Sequence, residues 1–318
     1  MNGPRLRRIV AWTGTFLLLA YLATTTNLRE AWGVVRGADS LHFLAGLLLG
    51  VPLMWALDSW SAHRWLRILG YDVRLSEFAP VRGATYLLGI VNYSLTVAML
   101  TAVVARRTRR GLWASGGAFL LLGLVDLGAL SLAVLAGLLA FPSPFPPVPT
   151  ALLAAVGVAG LLAAPSMAVL ARAMRRFRTG LPGRLAGWTV WAAFREVPFP
   201  ALAGMLPLRL LLILAQVGMN LAFLRAFGFD VGAREVLVFM PLLGLIGVLP
   251  ISVAGLGSTQ IVARGFFAPY APAGVSALAA VDAVSTASIL GVMVARVLLG
   301  LACLPFALRT GAKERQPA

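Results

Sequence analysis

Acidic residues are scarce in this chain: 11 Asp and Glu stand against 27 Lys and Arg, for a formal net charge of +16. Charges of both signs make up only 12% of the 318 residues, about half the ~25% of a soluble domain. That deficit excludes an ordinary water-facing globular surface. A lone cysteine, Cys303, rules out an internal disulfide and a cysteine-built metal site. The two histidines, His42 and His63, both come early. The short motif GLGS (255–258) would suit an intramembrane serine protease, but no histidine follows position 63 to serve as its base. Phosphate-loop motifs and paired His/Asp/Glu ligand spacings are missing too. No cofactor, metal site or catalytic residue set is therefore expected, although an intramembrane enzyme using Asp126 or Asp282 stays open.

Apolar residues fill the space. The chain is 60% hydrophobic with a mean hydropathy of +0.89, and several runs reach the ~20 residues that a helix needs to cross the hydrocarbon core. The expected fold class is an all-α polytopic membrane protein. Basic residues sit in short clusters between the runs, the pattern of positive-inside topology and anionic-lipid contact rather than of nucleic-acid binding. The N-terminus, basic then apolar, reads as an uncleaved first span, because no small-x-small cleavage site follows it before Thr24–Thr26.

Six runs read as full crossings: 9–26, 41–60, 112–140, 150–171, 208–227 and 274–306. Two others, 79–105 and 236–263, carry Gly, Pro, Asn, Ser and Thr in mid-run, as in GIVNYSLT (89–96) and GVLPISVAGLGSTQ (247–260). Such sequences break a helix. Irregular backbone at membrane depth persists only where protein or a water-filled cavity satisfies it. If both segments are re-entrant hairpins, Arg5–Arg8, the 64–82 loop, Arg106–Arg110, Arg172–Arg184 and the Arg309–Arg315 tail all fall on the cytoplasmic side. Both termini are then cytoplasmic, in the inner membrane of the cell. Segment 185–206, with Arg195, Glu196, Pro198 and Pro200, reads as an interfacial helix.

Residues 44–106 and 202–264 align without a gap, 158 residues apart, with 18 of 63 positions identical. The informative matches are Arg67/Arg225, Gly70/Gly228, Asp72/Asp230, Glu77/Glu235 and Arg106/Arg264. Three crossings separate the copies, so the second is inverted, a pattern of secondary transporters. One integral membrane domain is expected, organised as an N-terminal helix and outer loop (1–40), a first repeat (41–184) and a second repeat (185–318).

A half-helix that begins in mid-membrane directs free N–H groups and a positive dipole end at its surroundings. Gly255, Gly257, Ser258 and Thr259 would form such an anion cradle, with Asn92, Ser94 and Thr96 as counterparts; close helix packing by small residues is the alternative. Arg106 and Arg264 end the two broken segments and would each meet lipid phosphate at its own face, or be ordinary interfacial arginines. Asp126 and Asp282 lie within apolar runs, where a charge costs on the order of 3 kcal/mol, so each is either a coupling site or a structural ion pair. Asp58 and Arg296 read as span-end residues that cap or snorkel. The acids after Gly70 and Gly228 read as turn-fixing and capping groups.

At LPISVAGLGSTQ (249–260), with HRW (63–65) and Asn92, the chain resembles the transmembrane region of the lysylphosphatidylglycerol synthase/flippase family. By position, Pro250, Ser252, Gly255 and Gly257 fit that family's second broken segment. Gln260 departs, since the family often has Glu there, and NYSLTVAM (92–99) lacks the Pro and Gly of many relatives. The resemblance implies flipping of an anionic phospholipid or lipid-linked saccharide between leaflets. It equally allows a non-catalytic subunit that presents lipid to a separate aminoacyl- or glycosyl-transferase. With the chain ending at Ala318, the soluble transferase domain is absent and amino-acid attachment is not expected. The expected headgroup contacts are Asn92, Ser94, Thr96, Arg106, Pro250, Ser252, Gly255, Gly257, Ser258, Thr259, Gln260 and Arg264.

Overall fold

A computed structural model describes residues 28–91, 93–140, 150–174, 188–248 and 258–313. Regular structure among them is entirely helical. In chain order the helices are α1 (Leu28–Gly37), α2 (Ser40–Ile68), α3 (Leu75–Ala84), α4 (Tyr86–Val91), α5 (Tyr93–Thr108), α6 (Leu112–Ala140), α7 (Thr150–Ala173), α8 (Ala192–Glu196), α9 (Phe199–Ala226), α10 (Ala233–Val248), α11 (Ser258–Phe267) and α12 (Ala277–Lys313). Five of them, α2, α6, α7, α9 and α12, are long and apolar enough to cross a membrane. They bear exposed Leu, Val, Met and Phe along their length, such as Leu48, Leu139, Leu162, Leu214 and Leu298. Such surface suits hydrocarbon rather than water. The chain is therefore an α-helical, multi-pass membrane protein. The expected span 9–26 lies outside the described residues.

The chain divides into two compact units. The first comprises Met1–Gly50, Ala133–Ala154 and Leu214–Val292, the second Val51–Leu132, Ala155–Ile213 and Met293–Ala318.

In the second unit, a core centred on Trp65, Leu66, Phe78, Leu121, Phe194 and Met205 joins α2, α3, α6, α8 and α9. Trp65 Nε1 donates to the Ala118 carbonyl at 2.9 Å, which satisfies the one polar atom of a fully buried indole. Helix α2 ends in a Schellman motif. Gly70 takes φ 72°, its N–H bonds the Arg67 carbonyl and the Tyr71 N–H bonds the Leu66 carbonyl. Arg110 grips this turn by donating to the Leu69 and Gly70 carbonyls while lying over the Tyr71 ring. Helix α3 then begins at an N-cap, Arg74, that lends no side-chain hydrogen bond. The expected capping acids have other work. Asp72 is exposed and pairs with Arg67, and Glu77 pairs with Arg107 at 3.1 Å. The first broken segment bends at Thr85, whose Oγ1 donates to the Arg82 carbonyl and whose own carbonyl accepts from Thr96 Oγ1. Freed backbone groups at the bend thus find side-chain partners.

Segment 185–206 differs from its reading as one interfacial helix. Its described part is a 3₁₀ turn (Thr189–Trp191) and α8, after which α9 starts at Phe199. Arg172 of α7 holds the junction, donating to the Arg195 and Val197 carbonyls and stacking on Phe199. Pro200 falls in the first turn of α9, where a missing N–H costs nothing. The span therefore begins nine residues before the expected 208. Nearby, Gly117 of α6 passes so close to the Val190 carbonyl oxygen that any Cβ there would overlap it.

The first unit is built from α1, the start of α2, the second half of α9, α10, α11 and the first half of α12. Helix α9 also ends in a Schellman motif. Gly228 takes φ 76°, with its N–H on the Arg225 carbonyl and the Phe229 N–H on the Leu224 carbonyl. Phe239 of α10 stacks on Phe266 of α11 at 4.6 Å, and Phe43 of α2 packs on Phe223 of α9 at 4.9 Å. Asp39 caps α2: its Oδ1 accepts from the Leu41 and His42 N–H groups, and its Oδ2 meets His42 Nδ1 at 2.6 Å.

Candidate functional site: a charged cluster and a neutral cavity

The second unit carries four charged side chains in one cluster. Asp58 of α2 accepts from Arg82 of α3 at 2.6 Å and from Arg209 of α9 at 2.8 Å. Arg209 Nε also lies 2.9 Å from Asp126 of α6, yet its N–H direction misses that oxygen, so this is a charge contact and not a hydrogen bond. Arg209 is 2% exposed. The two arginines and two aspartates balance. Buried charge of this density persists only when paired and hydrogen-bonded. Asp58 is saturated. Asp126 is 40% exposed at its side chain and borders a small cavity of about 40 Å³ shared with Asp58, Arg82 and Arg209, room for roughly three or four waters at ~10–15 Å³ each.

This corrects the expectation for Asp58. The span was expected to end at 60, which put Asp58 near a membrane surface; α2 continues to Ile68, so Asp58 sits more than two turns inside. It bridges two arginines and caps nothing. Arg209 escaped sequence reading because its counterpart 158 residues earlier is Val51, and a comparison of the copies marks only shared residues. The signal that would have exposed it is a lone arginine just inside an apolar run.

The first unit carries a larger cavity of about 270 Å³. Gln216 and Asn220 come from α9, Thr259 and Gln260 from α11, and Ser285 and Ser288 from α12. Apolar walls come from Phe223, Met240, Leu243 and Ile289. Asn220 Nδ2 donates to the Gln216 backbone carbonyl at 2.8 Å. Gln260 is 9% exposed, and its Oε1 has no hydrogen-bond partner among the described residues. Every lining side chain among the described residues is uncharged. Arg264, adjacent to Ala263 on α11, turns instead to Asp282 of α12 through two bonds of 2.8 and 2.5 Å.

Of the expected headgroup contacts, Thr259 and Gln260 line this cavity. Arg264 is 7% exposed and committed to Asp282, so its charge is answered from within the protein. Arg106 and Ser94 are exposed on α5, and Thr96 is buried with its hydroxyl on the Thr85 carbonyl. Asn92, Pro250, Ser252, Gly255 and Gly257 lie outside the described residues, as does the side chain of Ser258. Asp126 and Asp282 both stand in ion pairs, Asp126 half-exposed and Asp282 buried. Arg296 lies over the Tyr86 ring at 5.4 Å. Comparison with known proteins finds no matching family model, no matching curated protein and no matching solved structure.

Proposed function

We propose that this protein moves a polar-headed lipid, an anionic phospholipid or a lipid-linked saccharide, between bilayer leaflets. The reading rests on the internal duplication and on what lies at matching positions of its copies. At the offset of 158, Asp58, Ala62, Arg82 and Asp126 of the smaller cavity correspond to Gln216, Asn220, Met240 and Val284. All four counterparts line the larger cavity. The Schellman turns at Gly70 and Gly228 keep the same register, with φ 72° and 76°. Two copies of one helical plan, each with a polar recess beside an interrupted segment, support an inverted-repeat carrier that exposes its site alternately to the two faces. Six crossings with two re-entrant segments, both termini in the cytoplasm, and kinship with the lysylphosphatidylglycerol synthase/flippase membrane region belong to this same proposal.

Asp126 is the coupling candidate. It is half-exposed, borders a cavity and receives no directed hydrogen bond, so it is able to exchange a proton or a partner. Asp282, doubly bonded to Arg264, holds the fold instead. The test is reconstitution of the purified full chain into liposomes carrying fluorescent phosphatidylglycerol, with a membrane-impermeant quencher outside. Scrambling well above protein-free vesicles, altered in its pH profile by Asp126→Asn, is the expected result. Quenching that stops at the outer leaflet, with folded protein inserted, sinks the transport reading.

A further inference from the structure

The two recesses differ in the chemistry they offer. Among the described residues, the 270 Å³ cavity has no charged wall; it carries three carboxamides (Gln216, Asn220, Gln260) and two serine hydroxyls (Ser285, Ser288). It far exceeds the ~10–15 Å³ that one water occupies. A phosphate moved into it would lose its hydration with no cation to replace it, because Arg264 is already neutralised by Asp282. Burying an unpaired charge is the costliest polar burial. Hydroxyl groups meet the opposite situation. Carboxamides and serines supply both donors and acceptors at close spacing, and each hydroxyl can give one hydrogen bond and accept others.

Gln260 adds an independent observation. It is nine-tenths buried, it lines the cavity, and its carbonyl oxygen accepts nothing from the described residues. A buried acceptor left open costs stability, and a ligand that donates to it recovers that cost on binding. The apolar wall of Phe223, Leu243 and Ile289 suits the remainder of an amphiphile.

We propose that this cavity binds the uncharged, hydroxyl-bearing headgroup of a lipid, a sugar or polyol, through the amides of Gln216, Asn220 and Gln260. The assignment takes its lipid context from the proposed transport function and narrows the substrate class within it. The charged cluster of the second unit is then not the headgroup site, since its carboxylates already occupy its arginines.

The experiment places the full-length protein in phosphatidylcholine nanodiscs with equal mole fractions of monoglucosyl diacylglycerol and phosphatidic acid, and measures retained lipid by native mass spectrometry. Wild type is expected to retain the glucolipid over phosphatidic acid. Gln260→Met and Asn220→Leu each lower glucolipid retention about tenfold, the worth of one lost neutral hydrogen bond at the upper end of its range. Gln260→Met leaves the melting temperature unchanged or raised, because the amide it removes was unsatisfied. Preference for phosphatidic acid, or unchanged glucolipid retention in both variants, overturns the proposal. A melting temperature lowered by Gln260→Met with retention intact does so as well, by making the amide structural. Glucolipid retention without scrambling would keep this site and remove the transport reading; scrambling of phosphatidylglycerol without glucolipid preference would do the reverse.

Discussion

Asp58 and Asp126 are both aspartates in apolar helices, and both face Arg209, but their surroundings assign them different work. Asp58 is joined to both Arg82 and Arg209 by directed hydrogen bonds. Removing it takes the directed carboxylate partner from the buried Arg209 and from the part-buried Arg82, and breaking a buried pair of this kind costs about 3–5 kcal/mol. Asp58→Ala is therefore expected to abolish or severely weaken the folded protein, read as loss of the monodisperse peak and of the cooperative melt in detergent. Asp126→Asn keeps the size of a half-exposed side chain that accepts no directed bond, and should melt close to wild type. Equal damage from both substitutions would contradict the division of roles. Local spacing could not separate these residues, because both present as single acids in apolar runs; the difference arises from an arginine on α9, 151 residues from Asp58 along the chain.

Helix ends show what was legible and what was not. The bounds of α6 coincide with the expected 112–140 and those of α7 nearly with 150–171, because uninterrupted Leu, Ala, Gly and Val carry the hydrocarbon-spanning signal directly. Helix α9 was read too short because Arg195, Glu196, Pro198 and Pro200 weigh against a clean span. Arg195 and Glu196 close α8, Pro198 sits in the junction before α9, and Pro200 falls in the first turn of α9. The interruption in 79–105 was legible from Gly, Pro and small polar residues, and the helix there stops at Ala84 and turns at Thr85; the middle of 236–263 lies outside the described residues. At the start of α2, the Asp39 carboxyl is held below the usual aspartate range, chiefly by its hydrogen bond with His42. A depressed carboxylate stabilises the fold above its unfolded value and ceases to do so as pH falls through its folded value. Asp39→Ala should lower the melting temperature by a few degrees at neutral pH, Asp39→Asn by less since it keeps a capping oxygen. The wild-type advantage over Asp39→Ala should vanish on acidification below about pH 4. An advantage that persists there would show that the carboxylate charge plays no part.

For the molecule as a whole, the proposed inversion makes a prediction that needs no substrate. Arg109 follows the first interrupted segment and is exposed; Gly232 lies in the turn that opens the corresponding stretch of the second copy. With Cys303, a buried thiol, replaced by alanine, single cysteines at Arg109 and Gly232 should react with a membrane-impermeant maleimide from opposite sides of oriented vesicles. Labelling of both from one side would leave the duplication parallel and remove alternating exposure as its purpose.

The contrast between the two recesses implies lopsided evolution within a single gene. Asp58, Arg82 and Arg209, tied by directed bonds, leave one another almost no freedom, since each replacement must be matched elsewhere at once, whereas an uncharged vestibule can exchange amide for hydroxyl one residue at a time. Saturation mutagenesis scored for folded protein should thus find Asp58, Arg82 and Arg209 brittle and the vestibule positions pliable. New cargo preferences would then arise by drift along Gln216, Asn220 and Gln260 while the knot around Arg209 stays frozen.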